Sequence, residues 1–89
     1  MKAVITVTGK DAVGIIAEVS AVCREANANI LEITQSVLSE YFAMIMLVDI
    51  HALTMPFADF SQKLTALGRE HALDIRALHE EIFDAMHRI

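Results

Sequence analysis

The sequence predicts an α+β domain in which a four-stranded antiparallel sheet carries two helices on one face and a short C-terminal helix follows. Three observations predict it. Four stretches have the length and residue types of strands, two others repeat apolar residues at helical spacing, and a short amphipathic stretch comes last. Their order, βαββαβ, is that of the split βαβ, ferredoxin-like sandwich.

Length and composition set the first limits. The chain has 89 residues, of which 55% are apolar and 21% charged, so it has material for one compact domain and is too apolar to be disordered. A two-domain enzyme is excluded. We expect a single domain over residues 1–89, with a βαββαβ core at 1–79 and an amphipathic helix at 80–89. Since a small domain buries its apolar surface incompletely, we also expect a homodimer or higher homo-oligomer.

Charge and cysteine content limit the partners and the compartment. The formal net charge is -5, and the seven Lys and Arg are scattered, so nucleic acid is not an expected partner. A single cysteine, Cys23, forms no intramolecular disulfide, which suits a reducing compartment. No apolar run approaches the roughly 20 residues that cross a bilayer, and no signal core opens the chain. We expect a cytoplasmic protein with no membrane partner.

The first strand and the first helix meet at a loop flanked by glycines. Ala3 to Thr8 is rich in β-branched and apolar residues and predicts a buried strand that closes at Gly9. Beyond the loop Gly9–Gly14, apolar residues recur at helical spacing and predict a helix with one buried face. They are Ile15, Ile16, Val19, Val22, Cys23 and Ala26. The helix is expected to end near Asn27-Ala28-Asn29, because asparagine tolerates the left-handed backbone of a helix stop.

The next two strands are predicted to form an antiparallel hairpin. Ile30 to Ser39 alternates polar and apolar residues, which predicts a half-buried strand with Leu31, Ile33 and Val37 inward. Ser39-Glu40 offers a short reversal. Tyr41 to Ile50 is apolar on both faces, which is typical of a central strand with both faces covered.

The remaining elements are a second helix, a short strand and the terminal helix. Thr54-Met55-Pro56 reads as a helix start, with a hydroxyl cap and then a proline in the first turn. The helix runs to about His71 and presents an apolar face made of Phe57, Phe60, Leu64 and Leu67. Leu73 to Leu78 predicts the last strand. In the terminal helix, Phe83 and Met86 are expected to dock on the sheet face opposite the long helices, in the same subunit or across the dimer.

Two loop motifs carry a resemblance to a known family. A strand that runs into Gly-Lys-Asp-Ala-Val-Gly-Ile-Ile at 9–16, with Asn-Ala-Asn-Ile at 27–30, resembles an ACT domain, the small-molecule-sensing module of amino-acid metabolism. The chain resembles more closely the small single-ACT-domain proteins of bacteria and archaea, uncharacterised protein family 0237. That resemblance rests on Thr-Val-Thr-Gly-Lys-Asp at 6–11, Met-Ile-Met-Leu-Val-Asp at 44–49 and Ile-Phe-Asp-Ala-Met-His-Arg-Ile at 82–89, and it covers essentially the whole chain.

The resemblance implies a ligand site shared by two subunits. It would take Lys10, Asp11, Ala12, Val13 and Gly14 from one subunit and Asn27, Asn29 and Ile30 from the other. Asp11 is expected to bind an amino group. Free backbone N–H groups at Gly14 are expected to bind an anion such as a carboxylate. Asn29 is expected to bind both ends of a zwitterion, since an amide donates and accepts hydrogen bonds. The alternative is that the glycines turn the chain and the asparagines stop a helix. Ala12-Val13 departs from the frequent Asp-Arg-Pro-Gly form, which leaves the ligand class open.

Metal and catalytic sites are not expected. His79-Glu80-Glu81-Ile82-Phe83 begins like a zinc-protease helix but has Phe83 where the second histidine must stand. No cofactor is implied, and no nucleophile and base fall on adjoining elements. The expected function is therefore a non-catalytic regulatory module that binds a small molecule, and the expected small molecule is an amino acid. The alternative is a ligand-free interaction module that regulates a partner enzyme.

Overall fold

The fold was analysed in a computed structural model, which describes residues 1–10 and 13–86. The elements follow one another in the predicted order. Their bounds are β1 (Lys2–Gly9), α1 (Ile15–Glu25), β2 (Asn29–Leu38), β3 (Tyr41–Asp49), α2 (Phe57–Glu70), β4 (Asp74–His79) and α3 (Glu80–Met86). The α+β, ferredoxin-like βαββαβ fold that the sequence predicts is confirmed.

The sheet is antiparallel throughout and has the strand order β2-β3-β1-β4. β3 is central, as its two apolar faces predict. Its residues Met44, Met46 and Val48 are buried under the two long helices, and the alternate residues, such as Ile45, lie on the opposite face. We call that opposite face the open face.

The core lies between the sheet and the two long helices. Each helix buries the middle of the stripe that its spacing predicts, but Ile16, predicted for the buried face of α1, is 37% exposed. The buried side chains are Ile15, Val19 and Cys23 of α1 with Phe60 and Leu64 of α2. Gly68 completes the stripe of α2, and a Cβ placed there would lie 2.6 Å from the backbone oxygen of Leu73. A glycine is therefore required where α2 approaches the start of β4.

β2 differs from its prediction. Leu31, Ile33 and Val37, expected to be inward, are exposed. Two features explain the difference. β2 is an edge strand that the long helices leave uncovered in one subunit, and a bulge between Ile30 and Glu32 interrupts its alternation. The prediction of a half-buried strand is wrong for the isolated subunit.

The start of α2 also differs from its prediction. Pro56, with φ -57°, is the N-cap residue, and no side chain caps the helix. The Thr54 hydroxyl donates instead to the Glu25 carbonyl oxygen at 3.5 Å, and the Thr54 N–H donates to the Ala26 carbonyl oxygen at 3.0 Å. Thr54 therefore ties its loop to the end of α1 rather than capping α2.

α3 lies against β1 and β4. Val4, on the open face of β1, is only 4% exposed, so α3 covers the sheet around Val4, whereas Thr8 and Arg76 on the same face are exposed. Phe83 is half-buried, whereas Met86 is 65% exposed. The expected docking of Met86 within the same subunit is wrong, and residues 87–89 of the predicted helix lie outside the described residues. Across residues 1–10 and 13–86, no helix is long and apolar enough to cross a membrane.

Candidate functional site

The loop between β1 and α1 forms one half of the predicted site. Gly14 is the N-cap of α1 and has φ 76°, a left-handed conformation that glycine adopts at little cost. Its carbonyl oxygen accepts the Glu18 N–H at 3.2 Å. Val13 is exposed. Asp11 and Ala12, also predicted for the site, lie outside the described residues.

Lys10 connects this loop with the turn between β2 and β3. Its Nζ lies 3.7 Å from Oε1 of Glu40 and 5.4 Å from the centroid of the Tyr41 ring. Both charged side chains are well exposed, so solvent weakens the ion pair. The contact nevertheless places the loop beside the end of β2. Spacing along the sequence does not predict Glu40 and Tyr41 as its neighbours, because the contact joins two separate loops.

The other predicted half lies at the start of β2. Asn27 has φ 60°, as expected of a helix stop, and its side-chain Nδ2 donates to the Ala52 carbonyl oxygen at 3.0 Å. Asn29 is the exposed first residue of β2. Ile30 is half-buried and packs against the core. The Asn27 amide thus has a structural partner, which the sequence pattern does not reveal.

Within one subunit the two halves lie at opposite ends of the sheet. Asn29 pairs with Asp49, which in turn pairs with Lys2 at the start of β1. The loop begins at Gly9, seven residues further along the same strand, which corresponds to about 23 Å. The fold of one subunit therefore separates the loop from Asn29.

The described part of the chain has other features that could be taken for sites. A surface cavity of about 490 Å³ is lined by Met1, Lys2, His79, Glu80, Glu81 and Ile82, away from the β1–α1 loop. The His79 ring stacks on Phe57 with 4.1 Å between centroids. Burial raises the pKa of the Cys23 thiol to about 11, so this thiol is protonated at neutral pH. Within residues 1–10 and 13–86, no group of three His, Cys, Asp or Glu residues has the geometry to hold a metal ion.

Comparison with known proteins decides the family. A family profile described as "ACT domain" matches residues 2–77. The chain belongs to the ACT domain family. This ACT-domain chain is 47% identical over 89 residues, the whole of both chains, to a Clostridium perfringens member of uncharacterised protein family 0237. It is 44% identical over 88 residues, 99% of this chain and 98% of the other, to a member from Methanocaldococcus jannaschii. Both resemblances seen in the sequence are confirmed.

Solved structures give the same result for the fold. An ACT domain protein from Streptococcus pneumoniae matches with a TM-score of 0.80 and 39% identity over 98% of each chain. A formyltetrahydrofolate deformylase from Pseudomonas syringae matches with a TM-score of 0.76 and 25% identity, over 86% of this ACT chain and 27% of its own. A proposed glycine cleavage system transcriptional repressor matches with a TM-score of 0.69 and 27% identity, over 85% of this ACT chain and 43% of its own. The ACT fold thus occurs both alone and as part of longer chains.

Proposed function

We propose that this chain is a non-catalytic regulatory ACT module that binds an amino acid between the subunits of a cytoplasmic homodimer. The observation that carries the proposal is the separation of the two halves of the candidate site. The β1–α1 loop and Asn29 lie at opposite ends of one sheet, about 23 Å apart by strand length. A site containing both requires the second half from another subunit.

β2 offers the edge at which such a subunit would join. It is an outer strand of ten residues, and Leu31 and Ile33 leave apolar surface exposed along it. Long exposed edges of this kind are templates for pairing with another strand. A two-fold axis that pairs β2 with its copy makes the two strands antiparallel and brings the start of one beside the end of the other.

That arrangement would bring the separated residues together. The 3.7 Å contact of Lys10 with Glu40 places the β1–α1 loop beside the end of β2. In the two-fold dimer the partner's Asn29 would enter at this end. Each dimer would then hold two equivalent sites, one at each end of the paired strands.

The residue types of the site suit a zwitterion. The Asp11 carboxylate would accept the ligand's ammonium group, and the Asn29 amide would donate to one end and accept from the other. Backbone N–H groups in the first turn of α1, which begins after Gly14, lack intrahelical partners and would favour a carboxylate. An amino acid presents both charges at a fixed separation.

A thermal-shift titration over the common amino acids tests the proposal. A ligand that binds the native state raises the melting temperature in a dose-dependent way. Asp11→Ala and Asn29→Ala should abolish that shift and leave the melting temperature of the empty protein nearly unchanged. Gln62→Ala, on the exposed side of α2, is the control and should keep the full shift. If both site variants unfold at a lower temperature but keep the ligand-induced shift, Asp11 and Asn29 only form turns.

The second candidate function is a ligand-free module that regulates a partner enzyme by association. The hydrogen bond from Asn27 to Ala52 favours it, since one predicted ligand residue already has a structural partner. No thermal shift with any amino acid, together with an intact dimer, would support this alternative.

The dimer itself is tested at the edge of β2. The wild-type chain should sediment at twice the monomer mass or more at micromolar concentration. Ile33→Lys places a charge beside the edge, which opposes strand pairing, and should lower the mass. A wild-type monomer would contradict the proposal, because the site would lack its second half.

A further inference from the structure

The outer side of β4 is the second free edge of the sheet. β4 pairs with β1 on one side only, because it stands last in the strand order β2-β3-β1-β4. Along its other side, the backbone N–H and C=O groups have no ladder partner within the described part of the chain. An unpaired edge of this kind can take up an extended segment as a further strand.

A surface groove of about 560 Å³ lies beside the first half of β4. One wall is the C-terminal half of α2, with Thr65 and Arg69, and the other is the strand at residues 74–76. The Leu73 N–H donates to the Gly68 carbonyl oxygen at 2.8 Å, which holds the start of β4 against the end of α2. We call this groove the β4 groove, and its two walls are held together at one end.

Two arginines line the β4 groove from opposite faces of the sheet. Arg76 pairs with Thr6 and so lies on the open face, whereas Arg69 belongs to the last turn of α2 on the other face. A groove lined by both lies at the edge of β4, since the strand itself separates the two faces. Successive side chains of an extended segment point to opposite faces, so two neighbouring side chains of an added strand would meet one arginine each.

Both arginines have donors left for a carboxylate. The Arg76 Nε donates to Oδ1 of Asp74 at 3.1 Å, which leaves its two terminal NH₂ groups, because a guanidinium has five N–H donors. Arg69 is exposed and forms no ion pair with another described residue. Glu70, its neighbour on α2, does not line the groove. Two arginines against the single carboxylate of Asp74 give the described lining a formal charge of +1, on a chain whose net charge is -5.

The acids of α3 make the two ends of β4 different. Glu80 and Glu81 begin α3 directly after β4, at the end of the strand that is farther from both arginines. Asp84 lies further along α3 and forms no ion pair with Arg76 among the described residues. An extended segment along β4 would therefore pass carboxylates at one end and arginines at the other. Acidic side chains suit only the end at residues 74–76.

We propose that the β4 groove binds an extended segment of another protein, which pairs antiparallel with β4 and carries two adjacent acidic residues in its C-terminal half. Antiparallel pairing continues the pattern of the sheet and is slightly more stable per residue than parallel pairing. It sets the C-terminal half of the segment beside the start of β4. One acid would then meet Arg76 on the open face, and its neighbour would meet Arg69 on the other.

The occupant is a different protein because the strands of this chain lack the required pattern. None of β1, β2, β3 and β4 carries two adjacent acidic residues, and the β4 strand of a second copy would bring two further arginines to a groove that is already positive. The proposal goes beyond the proposed function. It depends neither on amino-acid binding nor on the edge of β2.

Nuclear magnetic resonance titration with two synthetic peptides of equal composition tests the proposal. The probe is Thr-Val-Thr-Val-Asp-Glu-Thr-Ser with both ends blocked, and the control is Thr-Asp-Glu-Val-Thr-Val-Thr-Ser, which would place its acids beside α3. The probe should shift the amide resonances of residues 74–79, and the control should bind at least about fivefold more weakly.

Variants of the protein test the two arginines separately. Arg69→Gln and Arg76→Gln should each weaken binding of the probe by about fivefold, because each loses one exposed ion pair. Lys63→Gln is the matched control. It removes the same charge from an exposed position on α2 that does not line the groove, and it should keep the wild-type affinity.

The outcomes separate this groove from the amino-acid site. Unchanged resonances at residues 74–79, or equal affinity for both peptides and in both arginine variants, would overturn the proposal, and Asp74 and Arg76 would then only protect the edge against pairing. Resonance changes confined to β2 would also overturn it, because the probe would then bind the other edge. Thermal shift with amino acids judges the proposed function independently of each of these results.

Discussion

The side-chain amide of Asn27 donates a hydrogen bond to the carbonyl oxygen of Ala52 across 3.0 Å. This bond joins the turn between α1 and β2 to the loop that follows β3. The Thr54 N–H reinforces the connection by donating to the Ala26 carbonyl oxygen at 3.0 Å. Asn27 also holds a left-handed backbone with φ 60°, so this position makes two structural demands that asparagine meets.

Replacing Asn27 should therefore affect stability more than ligand binding. Asn27→Ala loses the bond to Ala52 and puts a Cβ without a polar group in the left-handed region, so we expect the free energy of unfolding to fall by about 1–2 kcal/mol. Asn27→Gly keeps the backbone conformation and should cost about half as much. Urea denaturation measures both, with Asn29→Ala as the near-neutral comparison. An Asn27→Ala variant of wild-type stability would show that the bond contributes nothing.

The close approach of α2 to β4 predicts a clear effect at Gly68. A Cβ there would meet the backbone oxygen of Leu73 at 2.6 Å, so the helix or the strand must move. We expect Gly68→Ala to lower the free energy of unfolding by about 1–3 kcal/mol, although alanine is the better helix former. At Gly14 an added Cβ would meet open space, but the backbone has φ 76°. Gly14→Ala should therefore lower the free energy of unfolding by only about 1 kcal/mol. Thermal unfolding ranks the two, and a stabilised Gly68→Ala would contradict the packing described for this site.

Burial of Cys23 predicts a loss of stability at high pH. The folded chain holds the thiol pKa at about 11, against an ordinary value of 9.0, because burial penalises the thiolate. Above pH 9 the unfolded chain ionises while the native thiol stays protonated, so stability falls as pH rises from 9 to 11, by up to about 1.4 kcal/mol per pH unit. Below pH 9 this contribution is fully present.

Cys23→Ala separates this effect from that of other groups that titrate at high pH. The variant loses some stability at neutral pH from the small cavity, but its stability should fall less steeply than that of the wild type between pH 9 and 11. Urea melts across this range make the comparison. Equal slopes in the two proteins would mean that Cys23 does not cause the decline.

Because Phe83 in the terminal helix is half-buried, we expect its truncation to cause an intermediate loss of stability. A fully buried ring would cost about 3 kcal/mol or more on truncation, but Phe83 retains part of its exposure, so Phe83→Ala should cost about 1–2 kcal/mol. Urea denaturation measures this cost, at a protein concentration low enough to dissociate the proposed dimer. A cost near zero there would show that α3 does not stabilise the subunit on which it lies.

Much of the fold follows from local patterns alone. The apolar stripe of α2 predicted the burial of Phe60 and Leu64, and the two apolar faces of Tyr41 to Ile50 predicted that β3 is central. Both follow because the periodicity of a helix or strand determines which side chains share a face. The motif between Gly9 and Gly14 likewise identified the family, since a short loop motif is readable without knowledge of the rest of the fold.

Only the tertiary structure decided what covers each face and which distant residues meet. Alternation in β2 indicates that Ile33 and Val37 share a side, but their exposure depends on β2 being an edge strand. The partner of Asn27 stands 25 residues away, and Lys10 meets Glu40 across two separate loops. Sequence periodicity reports neighbours within one element, whereas burial and contacts between loops depend on how all the elements pack together. For this reason the sequence could suggest which residues belong to the candidate site, whereas only the tertiary structure shows that its two halves lie at opposite ends of the sheet in one subunit.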